Sequence, residues 1–132
     1  MIEQTELVVD RWLYQLPVNF IDMQDQLNSS VSLEVMKKRT AEKKGIACRF
    51  TCTFVFEQQT ILEYVAGDTY VIDLADVIDK NELQTMIKNC YSKFKATFDF
   101  RKLGTVLQNE SLKAFNEQTY QLQPILLLLN EN

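Results

Sequence analysis

The stretch Cys48-Arg49-Phe50-Thr51-Cys52-Thr53-Phe54-Val55-Phe56 decides the fold. Cys48, Phe50, Cys52, Phe54 and Phe56 fall on one side of a two-residue repeat, and Arg49, Thr51, Thr53 and Val55 on the other. That period, rich in threonine and aromatic residues, predicts a half-buried β-strand, because successive side chains point to opposite sides of the pleat. Upstream, Val31, Leu33 and Val35 alternate with Ser32 and Glu34, which predicts a strand over Val31–Met36. Downstream, Thr60–Val65 and Thr69–Leu74 alternate again, separated by the turn-forming Ala66-Gly67-Asp68. Short links between consecutive strands favour an antiparallel meander, so the sequence predicts a four-stranded sheet over residues 31–74.

After Leu74 the period changes to three or four. Leu83, Ile87, Cys90, Phe94 and Phe98 form one stripe of an amphipathic helix over residues 79–102. Its start is strongly specified: Asp79 can cap, Glu82 holds the capping-box position, and Ile78 with Leu83 can staple. Arg101 and Lys102 sit at the negative end of the helix dipole, and Gly104 supplies a stop. Such a helix is about 36 Å long, against about 20 Å for strands of six or seven residues. One end is therefore expected to overhang the sheet or to cover a partner subunit.

The flanks are less regular. Residues 1–30 read as an N-terminal arm, extended or partly helical, with Trp12 and Tyr14 among its apolar residues and Pro17 as a break. Asn109 is placed to cap a short second helix through Gln118, burying Leu112 and Phe115. In Tyr120–Leu129, Pro124 is expected to break any helix, and the crowded leucines must bury themselves on their own domain or on another subunit. The whole chain reads as one α+β domain, 1–132: arm 1–30, sheet 31–74, long helix 79–102, short helix and apolar tail 105–132.

Composition narrows the chemistry. The 132 residues are 46% hydrophobic and 24% charged with a net charge of −4, enough for a core and too apolar for disorder. There is no histidine, which removes Ser-His-Asp and Cys-His catalysis and every His-ligated metal site. Cys48 and Cys52, four residues apart on a strand, lie about 13 Å from each other, beyond disulfide reach. Three thiols without an imidazole make a poor zinc set, so Cys48, Cys52 and Cys90 read as small buried hydrophobes in a reducing compartment. Asp73, Asp76, Asp79 and Glu82 lack the pattern of a Ca²⁺ loop and read as helix capping. With no phosphate loop or nucleophile elbow either, neither an enzyme nor a cofactor is expected.

Partners are narrowed in the same way. A pI near 4.8 argues against nucleic acid. The longest apolar run, Ile125–Leu129, is far short of the ~20 residues of a membrane span. Asp10 and Arg11 interrupt Leu7-Val8-Val9, so no export signal is read and the expected location is the cytoplasm. The basic patch Lys37–Lys44, five cations against Glu42 and so net +4, reads as a solvated hairpin loop. Helices can cover one face of a sheet well, whereas the other carries Thr51, Thr53, Val55, Ile61, Val65 and Val71. That face is too apolar to be left in water and points to association between sheets.

The order of arm, antiparallel strands, long capped helix and apolar Pro-containing stretch resembles the SecB-like export-chaperone family. Phe50-Thr51-Cys52-Thr53-Phe54 is similar to that family's F-x-C-x-V-like strand, with Phe54 in the aliphatic place. Asn89–Ala96 is similar to its long-helix region, and Leu122-Gln123-Pro124-Ile125 with Asn130 to its L-x-P-V/I-N stretch. The resemblance spans Val31–Asn130. It departs at Glu57-Gln58-Gln59-Thr60, where the family has a glycine pair and a G-I/V-F element, and in the displaced second helix. The resemblance implies a homo-oligomer, dimer or tetramer, with Thr51, Thr53, Val55, Leu126 and Leu128 as interface residues. It also implies an apolar groove that holds unfolded or partly folded protein clients without ATP, and Trp12, Phe54, Phe56, Phe94 and Phe98 are the groove candidates, with plain core packing as the alternative reading of each. The competing expectation is a small adaptor or structural interaction domain that binds one folded protein partner.

Overall fold

The computed structural model describes residues 3–17, 27–112 and 122–131. Along the chain run β1 (Glu3–Gln4), β2 (Val8–Tyr14), β3 (Leu27–Arg39), β4 (Lys43–Phe56), β5 (Gln59–Asp73), α1 (Lys80–Arg101) and α2 (Leu122–Asn130). β3, β4 and β5 are joined by tight hairpins, in register from Arg39↔Lys44 and Phe56↔Gln59. β1 and β2 lie end to end along the far edge of β5, Glu3 opposite Val71 and Tyr14 opposite Leu62. The strands thus make an open antiparallel sheet four lanes wide, with both helices on one side. The α+β class and the four-stranded antiparallel sheet expected from the sequence hold.

The lanes are assembled differently from the expected meander. Residues 60–65 and 69–74 are not two strands: β5 runs unbroken through Ala66-Gly67-Asp68. Gly67 is there because of a close approach, not a turn. A Cβ on it would stand 2.2 Å from the carbonyl oxygen of Cys48 and 2.9 Å from the Cα of Arg49. The fourth lane comes instead from the arm, whose alternation changes phase. Leu7 and Val9 pack toward the core, then Trp12 and Tyr14 do, because a bulge between Val9 and Arg11 adds one residue.

Strand length changes the helix geometry as well. At 13 to 15 residues, β3, β4 and β5 span about 43–50 Å, longer than the roughly 33 Å of α1. The length difference that called for an overhang is therefore reversed. The helix start is as read: Asp79 accepts from the Glu82 N–H at 2.8 Å, Glu82 accepts from the Asp79 N–H at 3.4 Å, and Ile78 and Leu83 are both buried. Lys102 caps the other end, and Gly104 follows with φ +79°.

The second helix lies elsewhere. Residues 109–112 are not helical, although Leu112 is buried; the rest of the expected segment to Gln118, with Phe115, lies outside the described residues. The helix forms over Leu122–Asn130 with Pro124 in its first turn, where backbone N–H groups have no acceptor within the helix. Proline is tolerated there, so the expected break does not occur. α2 lies beside α1 and over β3.

Candidate protein-binding surfaces

The aromatic residues expected to line a groove meet each other instead. Tyr64 and Phe94 stack at 4.1 Å, Phe54 and Phe98 at 5.6 Å, and Phe50 contacts both Tyr91 and Phe94. The Tyr64 hydroxyl donates to the Phe94 carbonyl at 2.9 Å, which satisfies that buried polar atom. Phe54, Phe56, Phe94 and Phe98 are each at most 1% exposed. They form a closed core between β4, β5 and α1, because the strand face and the helix stripe are the two halves of one interior. Trp12 stands at the margin of that core, half-buried, edge-on to Tyr64 at 5.2 Å and covered by the Arg101 guanidinium at 5.6 Å.

Five groove candidates are therefore gathered in one place, but four of them are sealed. Thr51, Thr53 and Val55, the strand residues expected at an interface, do share the helix-free face, half-buried among their neighbours. Val65 and Val71 join them. Ile61 does not: it is the extra residue between Thr60 and Leu62, and it turns inward to 1% exposure. The helix-free face is partly neutralised by its own pairs. Arg49 bonds Glu34 at 2.8 Å, Arg11 bonds Glu63 at 2.7 Å, and the hydroxyls of Ser30 and Thr53 meet at 2.7 Å. A shallow hollow of about 310 Å³ opens where small residues, Ala47 and Gly67, lie beside Val8, Met36 and Thr69.

The apolar tail divides between core and solvent. Leu122 and Leu129 are buried, and Ile125 and Leu126 pack against the core. Leu127 and Leu128 are exposed, and they border an open concavity of about 760 Å³ with Gln123, Pro124 and Leu126. Of the two tail residues expected at an interface, Leu126 thus serves the core and Leu128 the surface. A second exposed pair, Phe100 and Leu103, marks the end of α1. Phe100 lies two residues past Phe98, on the opposite side of the helix.

Fastenings hold α2 in place. Lys44, 4% exposed, donates to the Leu129 carbonyl at 3.2 Å, and Lys37 donates to the Glu131 carbonyl at 2.6 Å. Both cations sit at the negative end of the helix. Burial and the nearby Lys37 lower the pKa of Lys44. The basic patch is therefore not a solvated loop throughout, since Lys43 also pairs with Asp73.

Among the described residues one ion pair has a fully buried member. Asp68, on the core side of β5, accepts from Lys93 Nζ at 2.8 Å and from Gln4 Nε2 at 3.0 Å, both through Oδ2, while its buried Oδ1 has no partner. Burial and the carboxylate of Asp68 push the Cys48 thiol up to about 12, and burial alone does the same for Cys52. Cys90 is raised for the same two reasons, and its Sγ donates to the Cys48 carbonyl at 3.5 Å. All three cysteines are free and buried, and their thiols stay protonated at neutral pH. Among the described residues no helix is long and apolar enough to cross a membrane.

The chemistry available at these surfaces is burial of apolar side chains and pairing of backbone at strand edges. The sequence signal for Leu127 and Leu128 was present in the leucine run. What hid their exposure was the proline, which made the helix, and hence its outward side, hard to foresee. No protein-family model matches the chain, and no match is found among curated proteins.

Proposed function

We propose that this chain is an ATP-independent polypeptide-binding protein of the SecB-like holdase kind, acting in the cytoplasm on unfolded segments. The observation that supports this reading is the exposure of Leu127 and Leu128 on a helix anchored from the other side by Lys37, Lys44 and Asn130. Two leucines, 66% and 46% exposed, held in water on a rigid support are together worth roughly 2–3 kcal/mol when an apolar segment covers them. That contribution makes little demand on sequence, which suits unrelated clients. The client surface in this reading is the outer side of α2, not the Phe54–Phe98 cluster.

The second reading is an adaptor for one folded protein. It is favoured by the sealing of Phe54, Phe56, Phe94 and Phe98, which leaves small patches in place of a long groove. Light scattering from aggregating, unrelated unfolded proteins separates the two. A holdase at equimolar concentration suppresses scattering from several clients, and Leu127→Ser with Leu128→Ser abolishes this without loss of fold. No suppression of any client would overturn the holdase reading. A single folded partner, bound tightly and released by the same two substitutions, would establish the adaptor.

A further inference from the structure

The β3–β4 hairpin sets cations against one another. Its register puts Arg39 directly opposite Lys44 and Lys37 opposite Ile46, one diagonal step away on the same side of the sheet. Like charges so placed repel, because directly opposed side chains have Cβ atoms about 4.5–5.5 Å apart. Arg39 is exposed and Lys37 half-buried, so both can turn toward water. Lys44 cannot. It is 4% exposed, with Ile46 beside it on its own strand, Ile72 opposite on β5, and the last turn of α2 against its amine.

A buried ammonium is ordinarily paired with a carboxylate. Among the described residues Lys44 Nζ has one acceptor, the Leu129 carbonyl at 3.2 Å, and no carboxylate within ion-pair distance. Asp76 attracts it from farther off, with Oδ2 engaged by the Asp73 N–H at 3.2 Å. Burial lowers the Lys44 pKa, and Lys37 and Arg39 lower it further. Its proton is held less firmly than that of a surface lysine, and the free amine is a nucleophile.

We propose that Lys44 is a carbon dioxide site, where the amine nitrogen adds CO2 to form a carbamate that Arg39 and Lys37 hold as an anion. The ammonium first gives one proton to solvent. The nitrogen lone pair then forms the N–C bond, one C=O π pair moves onto oxygen, and a second proton leaves nitrogen for water. Lys44 passes from cation to anion, and nothing is oxidised or reduced.

Three properties favour CO2 over a free anion in this place. It is small and uncharged, so it can reach a nitrogen that water barely touches. The carbamate keeps one N–H for the Leu129 carbonyl, whereas a free anion would meet that carbonyl at the negative end of α2. The new charge also turns the repulsion of Lys44 by Arg39 and Lys37 into attraction. The site lies at the base of α2, but the inference does not rest on what α2 binds.

Carbon NMR of the full chain, equilibrated at neutral pH with isotope-labelled bicarbonate and CO2, is expected to show a protein-bound carbamate resonance. Lys44→Arg keeps a cation for the Leu129 carbonyl but forms no stable carbamate, so the resonance is expected to vanish. Arg39 is exposed, so Arg39→Gln leaves the fold intact while keeping Lys44 in place. That change weakens the carbamate in two ways, by firming the hold on the Lys44 proton and by removing an anion partner. The resonance is therefore expected to lose about two thirds or more of its intensity. Lys38→Gln, on the other side of the strand, is expected to leave it unchanged. A spectrum in which Lys44→Arg removes no carbamate resonance would overturn the proposal. So would equal intensity in Arg39→Gln, or a resonance that Lys38→Gln removes instead.

Discussion

Asn130 and Ile78 hold each other by two hydrogen bonds: Ile78 N–H donates to Asn130 Oδ1 at 2.9 Å, and Asn130 Nδ2 donates back to the Ile78 carbonyl at 2.9 Å. The last residue of α2 thereby satisfies both backbone groups of the residue that precedes the α1 cap. Asparagine is suited to this because it offers a donor and an acceptor from one planar group.

Asn130→Asp keeps the acceptor and loses the donor, leaving the Ile78 carbonyl facing a carboxylate. A loss of about 1–3 kcal/mol is expected from guanidinium unfolding. Amide exchange within α2 should quicken more than exchange in β4. An unchanged unfolding midpoint would mean that α2 stays docked without this contact.

The β4–β5 hairpin turns on Glu57 and Gln58, with φ +48° and +67°. Both positive values describe the turn that glycine and asparagine favour, and side chains there cost about 1 kcal/mol or more each. Glu57→Asn with Gln58→Gly is therefore expected to stabilise the protein by about 1–2 kcal/mol in thermal or chemical unfolding, with Phe56 and Gln59 still paired.

Lys93 and Asp68 differ in exposure, 35% against 0% for their side chains. Removing the exposed partner is expected to be the worse change. Lys93→Met leaves a buried carboxylate with Gln4 alone and should cost about 2–3 kcal/mol, whereas Asp68→Asn leaves the lysine free to reach water and should cost about 1 kcal/mol. The double variant should cost less than the sum of the two, which a double-mutant cycle by urea unfolding will measure.

Alkaline pH is expected to unfold the chain from the inside. Burial raises Cys48, Cys52 and Tyr70 to about 12, well above their ordinary values, and it also raises Cys90, Tyr64 and Tyr91. Each folded pKa lies above its unfolded value, so the unfolded chain releases these protons first. The stability they contribute is complete below about pH 9 and declines as pH rises toward 12. Native thiols should resist a disulfide reagent at pH 8, and the tyrosinate absorbance of Tyr64, Tyr70 and Tyr91 should appear together with loss of secondary structure. Ionisation of Tyr64, Tyr70 and Tyr91 by pH 10 in a folded chain would contradict this.

What could be read from residues alone followed from how locally each element is determined. α1 was legible because its cap, capping box and apolar stripe all lie within one segment. β4 was legible because its alternation is uninterrupted. β5 was split in the reading because Gly67-Asp68 has turn chemistry; the need for that glycine comes from Cys48 and Arg49 on the neighbouring strand, which periodicity along β5 does not register. The β2 lane was missed because its bulge reverses the phase between Val9 and Trp12, so no single face appears. Phe54 and Phe98 illustrate the same limit for the site. An aromatic stripe looks alike whether a helix or a client covers it, and here the partner stripe lies within the same chain.

The placement of β2 beside β5 has a consequence for the order in which the molecule is made. Residues 8–14 leave the ribosome before their partners at 62–67, which lie about fifty residues later. At about 5–20 residues per second, that is roughly 3–10 s during which Val8, Trp12 and Leu13 have no strand to join. β3, β4 and β5 can close by local hairpins as they emerge. The N-terminal lane completes the sheet last, and its waiting apolar edge is the segment of the nascent chain most exposed to misassociation.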